Sequence, residues 1–214
     1  NEAADKMGVD VMRWMYCNHK PENNLLFGYH RADEARRAFL LPIWNVYSFF
    51  VTYANAAEFE PVETRQSADH PLDCWITAEV QDLVNRMTTE LDAYDLSATC
   101  SELHQTIDAL TNWYIRLSRR RFAGKTTPED QQKALHTLYD VLITVCQLLA
   151  PFCPYITDAI YLNLASGEHG SIHLTDCPAA RELSKTEQAL LQKTRLMRLI
   201  VSLGNAVRSN AKVK

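Results

Sequence analysis

Asp95–Phe122 reads DLSATCSELHQTIDALTNWYIRLSRRRF. Its apolar residues Leu103, Ile107, Leu110, Tyr114 and Leu117 are spaced four, three, four and three apart, the interval that aligns one face of an α-helix. Asp95 is placed to cap the start of this helix and Gly124 to stop its end. The other side of the rod is different. At about 100° per residue, Asn112, Arg116 and Arg119 fall within roughly 60° of one another, away from the apolar seam, with Arg120 beside them. Trp113 lies at the edge of the seam, where it is either a packing wedge or a surface on which an unpaired base could stack. Arg121 projects with the core-facing side, where an acid on a neighbouring helix would be its partner.

The flanking sequence continues the helical reading. Residues 2–17 form a helical pattern broken at Gly8, with Asp10 expected to cap the second half and Pro21 to close it. Residues 25–29 are a short strand or an extended linker. Residues 31–59 predict a long helix burying Phe39, Ile43, Val46, Phe50 and Tyr53, with Trp44, Tyr47 and Val51 widening the stripe and Pro42 bending it. After a polar loop, Pro71 opens a helix to about Ala93, with Leu72, Trp75, Ile76, Val80, Leu83, Val84, Met87 and Leu91 on its buried side. Pro128 opens another, with the seam Leu135, Leu138, Leu142, Val145 and Leu149. A shorter helix spans residues 154–166, ended by Gly167, and residues 171–174 suggest a brief strand. Ser184 followed by Glu187 is a capping-box pattern for a last helix, which runs to the end of the sequence without a cap. Five or six such helices joined by short loops predict an all-α antiparallel bundle.

The 214 residues include 22 Lys+Arg and 26 Asp+Glu, a net charge of −4. General electrostatic attraction to nucleic acid is therefore excluded, and any such contact needs a local basic patch. The charge is segregated. From Ala109 to Pro128 there are five basic residues and no acid, and from Gln188 to Lys214 six more and no acid, which leaves −15 for the rest of the chain. Six dispersed cysteines without a CxxC pair, and no signal-peptide pattern, point to reduced thiols and a cytoplasmic setting. No apolar run is long enough to span a bilayer. His169, His173 and Cys177 stand four apart, but Gly170, Ile172 and Pro178 oppose a helix there and no fourth ligand is near, so no metal is expected. No nucleophile elbow, HExxH or glycine-rich phosphate loop occurs, and no catalytic residue is assigned.

Several stretches resemble isoleucyl-tRNA synthetases, which are class I aminoacyl-tRNA synthetases. Residues 44–55, WNVYSFFVTYAN, resemble the first helix of their anticodon-binding bundle. Residues 72–76, LDCWI, are similar to the opening of the second, where the family usually has Arg at the position of Cys74. Residues 112–122, NWYIRLSRRRF, match the family pattern NWYIRxSRRRF. Residues 149–155 resemble LAPFTPF, and residues 171–174 resemble SVHL. Gly8–Arg13 resembles the GADALR segment that follows the KMSKS catalytic loop in this family, so that loop would precede Asn1.

The resemblance implies an anticodon-binding fragment of a ligase that joins isoleucine to its tRNA. ATP and Mg would serve the parent enzyme's catalytic part, and this fragment would need no cofactor. It implies three regions: residues 1–29 as the end of a stem-contact region, residues 30–183 as the bundle, and residues 184–214 as a helix leading onward. The implied partners are an isoleucine-accepting tRNA and the rest of the same chain, with no membrane, in a monomer. Arg116, Arg119 and Arg120 are the candidates for phosphates, because a guanidinium is a permanently charged planar fork. Asn112 and Trp113 are the candidates for bases. A valyl- or leucyl-tRNA synthetase would share the bundle, and a helical scaffold binding acidic proteins is a reading of another class.

Overall fold

The computed structural model describes residues 2–62, 69–165 and 170–212. Among them are ten α-helices and no strand. Helices α1 (Glu2–Met7) and α2 (Val9–Cys17) meet at Gly8, whose φ of 87° is open to glycine and strained for other residues. Helix α3 (Tyr29–Ala35) passes through a π-turn (Arg36–Leu40) into α4 (Leu41–Ala56). Helix α5 is Pro71–Asp92. The rod with which the sequence reading began is α6 (Leu96–Asp108), a second π-turn (Ala109–Ile115) and α7 (Arg116–Phe122). Helices α8 (Pro128–Leu149), α9 (Pro154–Leu164) and α10 (Lys185–Asn210) complete the bundle. Residues 25–28 are an extended linker.

The expected seams are largely the observed core. Leu135, Leu138, Leu142, Val145 and Leu149 are all buried on α8, as are Phe39, Ile43, Val46 and Phe50 around and along α4. Trp14 of α2 stacks on Phe39 at 3.5 Å and meets Phe152 edge-on, tying the N-terminal helices into the same core. Trp44 is an exception, 45% exposed with its ring against Tyr47. Leu91, at the end of α5, is also exposed.

The π-turns account for the main departures. Pro42 has no N–H, and in a regular helix its ring would meet the carbonyl of Ala38. The wider turn ends just before it, with Leu41 N–H donating to the carbonyl of Arg36, five residues back. Regular α-helix resumes with a proline in its first turn, so the chain widens where a bend was expected. The second π-turn shifts the register of the rod. An i→i+5 turn takes up one more residue than an α turn, so the buried face beyond it advances by one. Leu117, expected in the core, is 56% exposed, and Ser118, Arg121 and Phe122 are buried instead.

Arg121 has the carboxylate partners its inward projection calls for. Its Nη1 and Nη2 donate to the two oxygens of Asp73 at 2.7 and 2.8 Å, and its Nε donates to Asp130 at 2.9 Å. The Tyr114 hydroxyl donates to the same Asp73 at 2.8 Å. This knot joins the rod to the starts of α5 and α8. Burial alone would lower the guanidinium's pKa, but the two carboxylates hold it above its ordinary value. Burial, then the adjacent Asp73 charge, drives the Tyr114 phenol well upward, so it stays a donor.

Three local readings are corrected. Asp10 does not cap α2, because Gly8 occupies that position with no side-chain bond. Its carboxylate instead accepts from the N–H groups of Tyr155 (3.3 Å) and Ile156 (2.7 Å), capping α9 from across the bundle. Replacing Asp10 with Ala should therefore cost about 1 kcal/mol, the usual value of an N-cap, read as a lower urea midpoint at unchanged m-value. The suspected strand is a 3-10 turn (Ile172–Leu174), curled because Asp158 accepts from Ser171 Oγ (2.6 Å) and the Ile172 N–H (3.0 Å). Helix α10, expected to run on without a cap, ends at Asn210 with Ala211 as its C-cap and Lys212 at φ 52°. Gly167, the expected stop after α9, lies outside the described residues.

The capping box of α10 is formed, with Glu187 N–H on Ser184 Oγ and the Glu187 carboxylate on the Ser184 N–H. Arg181 also donates two hydrogen bonds to Glu187. Mainly through Arg181, and against a smaller burial penalty, the Glu187 pKa is held down to about 2 from its ordinary 4.5. A depressed carboxyl stabilises the fold fully above its ordinary pKa and loses that contribution as pH falls toward the folded value. Thermal melting between pH 5 and 2 should thus fall less steeply in Glu187→Gln than in the unaltered chain.

Cys17, Cys100, Cys146, Cys153 and Cys177 are free thiols. Cys146 is pushed up to about 12 by burial, and Cys100 to about 12 by burial and the neighbouring Cys17, so neither is a nucleophile at neutral pH.

Candidate nucleic-acid interface

On α7, alternate fates befall adjacent arginines. Arg121 turns into the core, while Arg116, Arg119 and Arg120 are exposed. No carboxylate among the described residues pairs with any of these three. They stand on two successive turns of one rigid helix whose position is fixed from behind by the Asp73–Arg121 knot. The result is three unneutralised guanidinium forks presented together, at the end of a rod with no acid near them in sequence. That arrangement suits a run of backbone phosphates.

Asn112, Trp113 and Arg116 share a groove of about 600 Å³ with Leu117 and, from α10, Val201 and Asn205. Arg119 and Arg120 stand outside this groove, further along α7. Asn112 is exposed but engaged: its Nδ2 donates to Asp108 at 2.6 Å, one turn back. Trp113 is half-buried, and the Arg198 guanidinium of α10 lies over its ring, 5.7 Å from the centroid. One face of the indole is thus already covered by a cation, which also pairs with Asp108 at 3.1 Å.

The second basic run is less available than its charge count suggests. Arg195 of α10 is held by Asp82 at 2.6 Å, and Arg198 by Asp108. Arg86 of α5 pairs with Asp82 at 3.2 Å and also with Glu102 of α6. Acids on α5 and α6 thus neutralise two arginines of α10, a long-range pairing invisible in local sequence. Among the described residues of that run, Lys193, Arg208 and Lys212 have no such partner. Both runs thus keep unpaired cations among the described residues, three of them gathered within Arg116–Arg120 on α7 and those of the other spread from Lys193 to Lys212.

Between α5, α6 and α10 runs a second groove of about 780 Å³, which sequence reading did not anticipate. Its walls include Glu79, Arg86, Trp113 and Arg198. Of the spaced metal-capable side chains, His173 Nε2 sits 3.1 Å from the Pro154 carbonyl oxygen and Cys177 is exposed, while His169 lies outside the described residues. Among the described residues no three His, Cys, Asp or Glu side chains are grouped to hold a metal ion. No described helix is long and apolar enough to cross a membrane.

This helical bundle with an arginine-bearing rod belongs to the anticodon-binding domain family of tRNA ligases, whose sequence profile matches residues 73–214. Relatives similar over nearly the whole chain are isoleucine–tRNA ligases. That of Dehalococcoides mccartyi is 38% identical, covering 98% of this chain and 21% of the relative. Those of Deinococcus radiodurans and Thermus thermophilus are 37% and 35% identical over 98% of this chain, which is 19% and 21% of their own lengths. The chain thus spans about a fifth of the curated relatives it matches. A chain in the crystal structure of the ternary complex of Agrobacterium radiobacter K84 agnB2 LeuRS-tRNA-LeuAMS has the same fold, with a TM-score of 0.60 at 15% identity, covering 89% of this chain and 21% of that one.

Proposed function

We propose that this chain holds the anticodon arm of an isoleucine-accepting tRNA for a ligase that joins isoleucine to that tRNA at the expense of ATP. Catalysis, with its ATP and Mg, lies elsewhere in that ligase. The contribution of this module is positioning: phosphate contacts set register and orientation, and base contacts add selectivity. The observation that carries the reading is the set of three unpaired arginines on α7, in a chain of the anticodon-binding family. The similarity to isoleucine–tRNA ligases at 35–38% identity supports the choice of amino acid.

The test is a phosphate-ethylation interference map with an isoleucine-accepting tRNA transcript. Interference should concentrate on consecutive phosphates in and beside the anticodon loop, and should vanish there when Arg116, Arg119 and Arg120 are all alanine. Interference confined to the acceptor stem, or none at any salt, would reject the reading.

A further inference from the structure

Glu79 of α5 is only 5% exposed, and its Oε2 is enclosed with no hydrogen-bond partner. No ion pair reaches the carboxylate among the described residues. The cations around it are committed elsewhere: Arg86 to Asp82 and Glu102, Arg195 to Asp82, Arg198 to Asp108. The Trp75 indole N–H, one turn back on α5, is itself unpartnered and does not reach it. A buried acceptor left open in this way is costly unless something fills it. Glu79 lines the 780 Å³ groove, together with Trp113 and Arg198.

We propose that this groove receives an unpaired nucleobase and that Glu79 determines which one. The inference rests on the RNA-binding reading above and assigns it a base-selecting residue. A carboxylate accepts and cannot donate, so it favours an edge with adjacent N–H donors and disfavours carbonyl oxygens and ring-nitrogen acceptors. Guanine presents two such donors side by side, N1–H and the 2-amino group. Adenine and cytosine set their amino group beside an acceptor nitrogen, and uracil sets its N–H between two carbonyls. The indole of Trp113 and the guanidinium plane of Arg198 are flat surfaces of the kind on which unpaired bases stack. Guanine is therefore the base that satisfies the open acceptor.

The experiment uses this chain and a series of stem–loop RNAs with one stem and a seven-nucleotide loop, each carrying guanine, inosine or another base at a single loop position. Inosine keeps N1–H and lacks the 2-amino group. At one loop position the chain should prefer guanine to inosine roughly tenfold, the scale of a paired base contact. Glu79→Gln, which keeps shape and adds an N–H donor, should reduce that preference below about twofold while leaving the salt dependence of binding unchanged. As a measurement independent of the variant's folding, 6-thioguanine at the preferred position should photo-crosslink the unaltered chain within residues 109–116 or at Glu79's own turn. Base preference retained in Glu79→Gln, crosslinking only elsewhere, or indifference to the base at every loop position would overturn the assignment while salt-dependent binding survives. Absence of all RNA binding would remove the underlying reading with it.

Discussion

Arg121→Met should destabilise the folded chain by about 3–5 kcal/mol, the usual cost of breaking a buried ion pair from one side. The reason is what remains behind. Asp73 is 1% exposed, and in the variant it would keep only the Tyr114 hydroxyl as a partner while losing both guanidinium bonds. Asp130 would lose the guanidinium as well; its carboxyl is held below the ordinary carboxylate range chiefly by the Arg121 hydrogen bond. Urea unfolding measures the loss. The double variant Asp73→Leu with Arg121→Met should recover a large share, since removing both charges leaves no buried charge unpaired. Arg120→Met, one residue earlier, should change stability by no more than about 0.5 kcal/mol because that side chain touches no carboxylate. Two adjacent arginines thus separate a structural role from a surface one.

Changing Arg116, Arg119 and Arg120 together to alanine should weaken tRNA binding on the order of 100-fold at low salt. Each exposed guanidinium–phosphate contact is worth roughly 1 kcal/mol after solvation and side-chain ordering, and three such contacts add when they share no partner. The variant should melt within a degree or two of the unaltered chain, so the effect would belong to the interface. Single replacements should each give about a third of the free-energy loss. By contrast, Arg195→Ala should cost less affinity than stability, because its side chain is spent on Asp82.

Much of this fold could be read from the residues because its helices are regular where their signals are local. Asp95, Ser184 and the prolines at 42, 71, 128 and 154 act within one turn of themselves, and five of the helices they mark start where those signals fall. Helical spacing found the α8 seam without error. It failed at Leu117 because a fixed 100° per residue cannot represent a π-turn, and the turn lies directly ahead. Asp10 was misread for a different reason: a carboxylate near a helix start is a good local cap, but the N–H groups it serves are 145 and 146 residues away. The candidate site divides along the same line. The outward face of α7 follows from periodicity, and the family resemblance pointed to the same residues. The neutralisation of α10, the cover over Trp113 and the open carboxylate of Glu79 all arise from helices that meet only after folding.

The central claim is that a negatively charged chain grips RNA through three arginines gathered on one helix. It is tested most directly by the affinity for an isoleucine-accepting tRNA across a range of monovalent salt. For three phosphates, log affinity should fall with log salt at a slope of roughly −2 to −3, and the triple alanine variant should flatten that slope almost to zero. A slope that stays the same in the variant would place the contact on another surface and contradict the account.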